Sequence, residues 1–408
     1  MRIALIGNMN NCFFAQMRYL RDMGIDAHLF MYQNEQELFV PENDTFEIEK
    51  YQAFIHTLNV QNSAKGLVLA KSKQIKEQLE GFDFFVGCGV APALFDKLKW
   101  HLDVFIPYSD IIELTSYDTF RWSILLKYPL RAYVTYKQRE AVQHNVSKVI
   151  AAAIQEKTQD KIKELHIEHK HIRKYLLMVY NKEQKLLDAS YHPYIKRMQE
   201  SEFVIFSHAR HYWKDFVEEH EKKFGMKGLH KLIMGLSEFV KTNPNSNPLL
   251  VFLEYGINVK DSKELIKSLG VEEYVLWLPR MARKNLLGLL EYSDIVVDAI
   301  DETMWGGVGF EGLSCGKVLM QNILYSDEEY QEIMGHPLPF IMRANSPKEV
   351  ASHFRNFVEN REFYESKAKE NKKWFERYAG IGLAKEYKAI YEQLYRERNN
   401  EFSKKRAK

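Results

Sequence analysis

What this 408-residue chain lacks narrows its function first. It has only three cysteines, Cys12, Cys88 and Cys315, far apart and without C-x-x-C spacing. That pattern excludes a disulfide framework and a cysteine zinc site, and it suits a reducing cytoplasm. No run of about 18 apolar residues occurs, so no membrane-spanning helix is expected. The opening "MRIALIGN" has an apolar stretch too short for a secretory core, and no A-x-A site follows, so no signal peptide is expected. Neither sign of charge dominates: the net charge is +2, and no global field favours nucleic acid. There is no D-x-D pair, no H-E-x-x-H and no G-x-S-x-G, since "GLSCG" does not fit that pattern. The loop after the first apolar run lacks G-x-G-x-x-G, which argues against a dinucleotide-binding fingerprint.

What is present is an alternation of short apolar runs with longer amphipathic ones. "RIALI" (2–6), "DAHLFMY" (26–32), "DFFVG" (83–87), "DVFIP" (103–107) and "SKVIAAA" (147–153) read as strands. "FFAQMRYLRDMG" and "AKSKQIKEQLEGF" between them read as helices. Residues 155–200 are polar, basic and expected to be mostly helical. The rhythm restarts at "EFVIFSHARH", with strands in "PLLVFLEYG", "YVLWLP", "DIVVDAI", "KVLM" and "PFIM", and closes on a helical stretch from about 347 to 398. The pattern predicts two doubly wound α/β domains, each a parallel sheet with crossover helices. The expected boundaries are 1–195, with the connector, then 196–380, then a C-terminal helix and basic tail at 381–408 that returns toward the first domain. Ligands of such sheets bind at the carboxyl ends of the strands, and the cleft between two domains is the default site.

One stretch concentrates the chemistry: "TMWGGVGFEGLSCGKVLM", residues 303–320. A strand ends near Ile300, a loop leads to Gly306 and Gly307, and a helix of roughly 308–315 closes at Gly316. Glycines let backbone approach a ligand, and the N–H groups of a helix start attract phosphate. Glu311, one turn into that helix, is placed to accept hydrogen bonds from a diol such as a ribose. The plain alternative is a tight turn before a buried helix.

The stretch resembles the nucleotide-sugar signature of GT-B glycosyltransferases, the family-4-like group 1 retaining enzymes. In that pattern a Glu, then Gly-Phe-Gly, precede a second Glu eight residues after the first. Glu311 matches the second Glu, Gly306 the second glycine and "GLSCGKVL" the tail. Thr303 stands where the first Glu is usual, and Met304-Trp305 replace Gly-Phe; Asp301 or Glu302 are candidates to substitute. A second stretch, "FSHARHYWKDFVEEHEKKFGMKGLHKLIMGLSEFV", fits the family's basic pair with Arg210 and Lys227, the latter followed by Gly228. Two cations beside the phosphates stabilise a diphosphate leaving group without a metal. Solvated surface charges are the alternative for both.

Further candidates follow from the resemblance. Gly7 and Asn8 in "RIALIGNMNN" lie where similar enzymes face donor diphosphate and acceptor. Asp110 in "FIPYSDIIELTSYDT" is placed to polarise an acceptor hydroxyl, or else to cap a helix. Arg280 and Met281 in "WLPRMARKNLLGLL" lie where the nucleotide base is held. The expected donor-binding set is therefore Gly7, Asn8, Arg280, Met281, Thr303, Gly306, Gly307, Val308 and Glu311. The expected catalytic set is Arg210, Lys227, Glu311 and Asp110. No metal or cofactor is expected; a nucleoside diphosphate sugar is the substrate. His166, His169 and His171 in "HIEHKHIRK" read as a solvated helix rather than a metal site.

"RWSILLKYPLRAYVTYKQR" (121–139) interleaves five Arg or Lys with four aromatics and has no acid. It suits an anionic membrane surface, or the edge of a domain. The resemblance thus implies a cytoplasmic or peripheral membrane protein. It moves a sugar from a nucleoside diphosphate to a glycan or lipid-linked acceptor hydroxyl, in surface polysaccharide synthesis. An epimerase acting on nucleotide sugars, or a non-catalytic sugar-nucleotide-binding relative, are the alternatives.

Overall fold

The computed structural model describes residues 1–35, 37–107, 128–214, 226–301 and 304–406, with the side chains of 401–406 excepted. The chain divides into two units, one of Met1–Tyr180 with Ala379–Lys408, the other of Asn181–Tyr378.

The first unit is built on a seven-stranded parallel sheet: β1 (Arg2–Ile6), β2 (Asp26–Tyr32), β3 (Ile55–Leu58), β4 (Phe84–Gly87), β5 (Leu102–Phe105), β6 (Val146–Ala151) and β7 (His171–Arg173). Their order is β3-β2-β1-β4-β5-β6-β7. "FFVG", and "RIALI" after its first residue, are apolar because both faces of a parallel sheet are covered. Leu5 stands in register with Leu29 on one side and Val86 on the other, and all three are fully buried.

The terminal helix Ile381–Arg406 belongs to this unit. Tyr387 and Tyr391 are buried in it. The Tyr387 hydroxyl donates to the carbonyl of Tyr175 at 2.8 Å, and Gln16 of the first helix hydrogen-bonds the Tyr391 hydroxyl. Further along, Arg398 grips the Asp103 carboxylate through both oxygens, at 2.7 and 2.9 Å, and also reaches the carbonyl of Asp83.

The second unit carries a six-stranded parallel sheet: β8 (Phe203–Ser207), β9 (Pro248–Leu253), β10 (Val275–Leu278), β11 (Ile295–Val297), β12 (Val318–Gln321) and β13 (Ile341–Arg343), in the order β10-β9-β8-β11-β12-β13. Ile205, Leu250, Ile295, Val297, Val318 and Met320 line one face. They pack under helices Leu229–Thr242 and Pro347–Glu359, whose Leu232, Leu236, Val350 and Phe354 complete that core. On the other face lies the short helix Gly307–Ser314. A Cβ at Gly312 would come within 2.9 Å of Val296, so only glycine lets this helix lie so close to β11.

The two doubly wound units are those expected from the alternation. Three local differences have physical causes. Residues 168–174 form a 3-10 turn and the edge strand β7 rather than a helix: the backbone pairs with β6, and a ring nitrogen of His171 contacts the carbonyl of Ala151 at 3.0 Å. β3 was not anticipated, because "IHTL" is short, half-buried and polar at two of four positions. The long helical stretch is three helices, Pro347–Glu359, Arg361–Tyr378 and Ile381–Arg406, broken at Asn360 and at the Ala379-Gly380 pair.

Candidate functional site

In each sheet the chain reverses its direction of growth once. In the second unit this happens between β8 and β11, and ligands of doubly wound sheets bind outside the carboxyl ends of the strands at that point. The Ser207 hydroxyl bridges the two strands there, donating to the carbonyl of Val297 at 2.9 Å. Around this edge the structure gathers residues from four places in the sequence.

His208 follows β8 directly, and Glu311 lies in helix Gly307–Ser314. A His208 ring nitrogen, Nε2, stands 2.6 Å from Glu311 Oε2, with both side chains buried. Arg283, the first residue of helix Arg283–Leu290, places Nη1 3.6 Å from the other oxygen, Oε1. A carboxylate out of water needs such partners, and it has received a cation on one oxygen and a hydrogen bond on the other. It offers about four lone-pair positions, so capacity remains for a hydroxyl.

Gly306 and Gly309, at the start of the same helix, donate their backbone N–H groups to Asp298 Oδ2 at 2.7 and 3.1 Å. Asp298 follows β11 and is fully buried. Gly306 is exposed, and Gly307 and Val308 are half-buried beside it. The N–H groups expected to be open to phosphate are therefore in part taken by a carboxylate of the chain itself. Asp301 pairs with Lys231. Thr303 lies outside the described residues.

Of the basic pair, Arg210 is exposed, with its guanidinium 5.6 Å from the Tyr212 ring. Lys227 is half-buried. Its backbone N–H donates to the carbonyl of Tyr212 at 3.0 Å, and its carbonyl accepts from the N–H of Ile300 at 2.9 Å. That double tie sews the segment after β8 to the segment after β11. After β10, Arg280 is exposed and sits 4.8 Å from the Tyr255 ring, with Met281 half-buried next to it. All these residues stand at the carboxyl edge of one sheet.

In the first unit Gly7 ends β1. It has φ +91°, and a Cβ there would meet Cys88 Sγ at 2.5 Å and the Tyr32 ring at 2.8 Å. The Asn8 side chain is spent on the loop itself. Its amide N donates to Asn11 Oδ1 and to the carbonyl of Phe39, each at 2.7 Å, and its oxygen accepts from the N–H of Phe14 at 3.0 Å. Its backbone carbonyl accepts from the N–H of Asn11 at 3.0 Å. Asp110 lies outside the described residues. Among the described residues no group of three His, Cys, Asp or Glu is placed to hold a metal ion.

His208, Arg283 and Asp298 are not among the residues singled out from sequence. Asp298 left one signal, a carboxylate at the end of the otherwise apolar "DIVVDAI". His208 left another, a histidine immediately after the buried strand "FVIFS". Arg283 left none, because its partner lies 28 residues further on.

No family model and no curated protein sequence matches the chain. Solved structures do. Anabaena Alr3699/HepE in complex with UDP and glucose aligns over 98% of this chain and 100% of its own, with a TM-score of 0.63 at 14% identity. WaaG, a glycosyltransferase involved in lipopolysaccharide biosynthesis, aligns over 95% and 98%, with 0.57 at 14%. The UDP-GlcNAc 2-epimerase from Neisseria meningitidis bound to UDP-GlcNAc aligns over 96% and 99%, with 0.56 at 16%. The chain has the fold of the GT-B glycosyltransferases, two Rossmann-like units with parallel sheets of seven and six strands.

Proposed function

We propose that this protein is a retaining glycosyltransferase that moves a sugar from a nucleoside diphosphate, UDP in the first instance, to an acceptor hydroxyl. The observation that carries the reading is the buried Glu311 carboxylate, held by His208 and Arg283 at the switch point of the second unit. A fixed carboxylate there accepts the hydroxyls of a ribose. Arg210 and Lys227, following β8, supply positive charge for the departing diphosphate. Arg280 and Met281, after β10, flank the base. Asp110 polarises the acceptor hydroxyl. The bound UDP and glucose of HepE, and the lipopolysaccharide role of WaaG, support a UDP-sugar donor and a place in surface polysaccharide synthesis.

The second reading, an epimerase of nucleotide sugars, draws on the same pair: a histidine in hydrogen-bond contact with a carboxylate is equipped to move protons. One experiment separates the two. UDP-glucose and UDP-GlcNAc are incubated with the protein in deuterated water and followed by proton NMR. Transfer to water or to an added acceptor with the α configuration formed first supports retention. β product formed first contradicts it, and deuterium entering the sugar ring favours the epimerase.

The membrane reading concerns helix Pro129–His144. Tyr128, Leu130, Arg131, Tyr133 and Tyr136 are exposed at its start. Residues 121–127 of the same patch lie outside the described residues. Among the described residues no helix is long and apolar enough to cross a membrane. A tyrosine-rich, basic surface suits the headgroup region of an anionic bilayer. The protein is expected to float with phosphatidylglycerol vesicles and to lose that on Arg131→Glu with Tyr133→Ser. Flotation equal with neutral vesicles, or none, contradicts the reading.

A further inference from the structure

The start of helix Gly307–Ser314 presents backbone N–H groups with no partner inside the helix, and a phosphate is a usual ligand of such groups. Here that place is held by the protein itself. Asp298 Oδ2 accepts from both Gly306 N–H at 2.7 Å and Gly309 N–H at 3.1 Å, and the residue is 1% exposed. The second helix that begins at this edge, Leu229–Thr242, shows a related arrangement. Asp301 lies against Gly228, the residue before that helix, so closely that a Cβ on Gly228 would sit 2.9 Å from Asp301 atoms. Asp301 also pairs with Lys231 in the helix's first turn. Both helix starts at the β8–β11 switch point thus have a carboxylate of the same chain beside them.

We propose that Asp298 is a specificity-determining positioning residue, an internal anion that holds the Gly306–Gly309 backbone and disfavours phosphate at this helix start. The inference rests on the donor-binding reading above. A diphosphate approaching this edge meets a fixed negative charge at the helix start. It is held instead by the cations that follow β8, where Arg210 is exposed. The Gly306–Gly309 backbone is then left to face an uncharged part of the donor.

Hydrogen exchange read by mass spectrometry on the wild-type protein, free and with saturating UDP, tests this without a substitution. The inference expects peptides covering 304–311 to be protected already in the free protein and little changed by UDP. Fast exchange in the free protein, slowed ten-fold or more by UDP, overturns it. Asp298→Asn, which keeps an oxygen acceptor and removes the charge, is the second arm. UDP is expected to bind this variant three-fold or more tighter than wild type, with uridine unchanged. Equal or weaker UDP binding by a variant that retains the wild-type circular dichroism overturns the inference while leaving the donor site intact. Absence of any UDP binding by the wild type defeats the donor-binding reading and this inference together.

Discussion

Glu311→Ala is expected to weaken nucleoside diphosphate binding by roughly 10- to 100-fold, because a hydrogen bond to a charged group is worth about 1.5–3 kcal/mol. The same change strips His208 and Arg283 of their shared anion inside the unit. Taking the anion away from a buried cation costs stability, so the melting temperature is expected to fall as well. Glu311→Gln keeps the shape and one acceptor oxygen, and should recover much of the stability and little of the affinity. Arg210→Ala makes the contrast. Arg210 is exposed, so its loss should leave stability unchanged while weakening binding and flattening its dependence on salt. Calorimetry and thermal denaturation on the three variants check the pattern. Wild-type affinity in Glu311→Ala would remove Glu311 from the binding site.

Arg398→Met is expected to be the most destabilising exchange in the terminal helix. Arg398 covers Asp103, whose side chain is 2% exposed at the base of β5. Burial raises the Asp103 carboxyl to about 6, against the pull of Arg398 and of the Phe85 N–H. Removing the cation leaves this buried carboxyl without its counter-ion, either to stay charged or to take up a proton at neutral pH, at a cost on the order of 3–5 kcal/mol. For a unit of this size that is a fall of about 10 °C in melting temperature. The pH dependence has a definite sign. The folded-state value lies above the 3.8 of an ordinary aspartate, so the folded state binds the proton more tightly. The stability linked to this proton is complete below about pH 4 and is lost as pH rises through about 6. Asp103→Asn should flatten the stability curve across that window. A wild-type curve that rises between pH 4 and 6.5 with no change in Asp103→Asn would contradict this account of the residue.

Much of the architecture was legible because it rests on short-range rules. Apolar runs such as "RIALI" and "PLLVFL" mark strands covered on both faces, and the 3.6-residue stripe of "LHKLIMGLSEFVKT" marks the helix over them. Edge elements were not legible. β7, in "HIRK", and β3, in "IHTL", are strands only because a neighbouring strand supplies partners for their backbone, and their side chains carry no alternating pattern. At the site, Glu311 was legible from a local motif. Its partners were not, because they come from β8 and from helix Arg283–Leu290, 103 and 28 residues away. Asp298 was visible as a charge in an apolar strand, but that it would occupy the helix start of Gly307–Ser314 depends on how the intervening loop folds back.

The switch point of the second unit is proposed to hold a nucleoside diphosphate. This is tested most directly by calorimetric titration of the full chain with UDP, GDP, ADP and dTDP, without metal and then with Mg²⁺. One nucleotide, UDP before the others, is expected to bind without metal, with an affinity that falls in Glu311→Ala and in Arg210→Ala. Binding by none of the four under either condition would reduce "GGVGFEGLSCGKVL" to a turn and a buried helix, with no nucleotide site at this switch point.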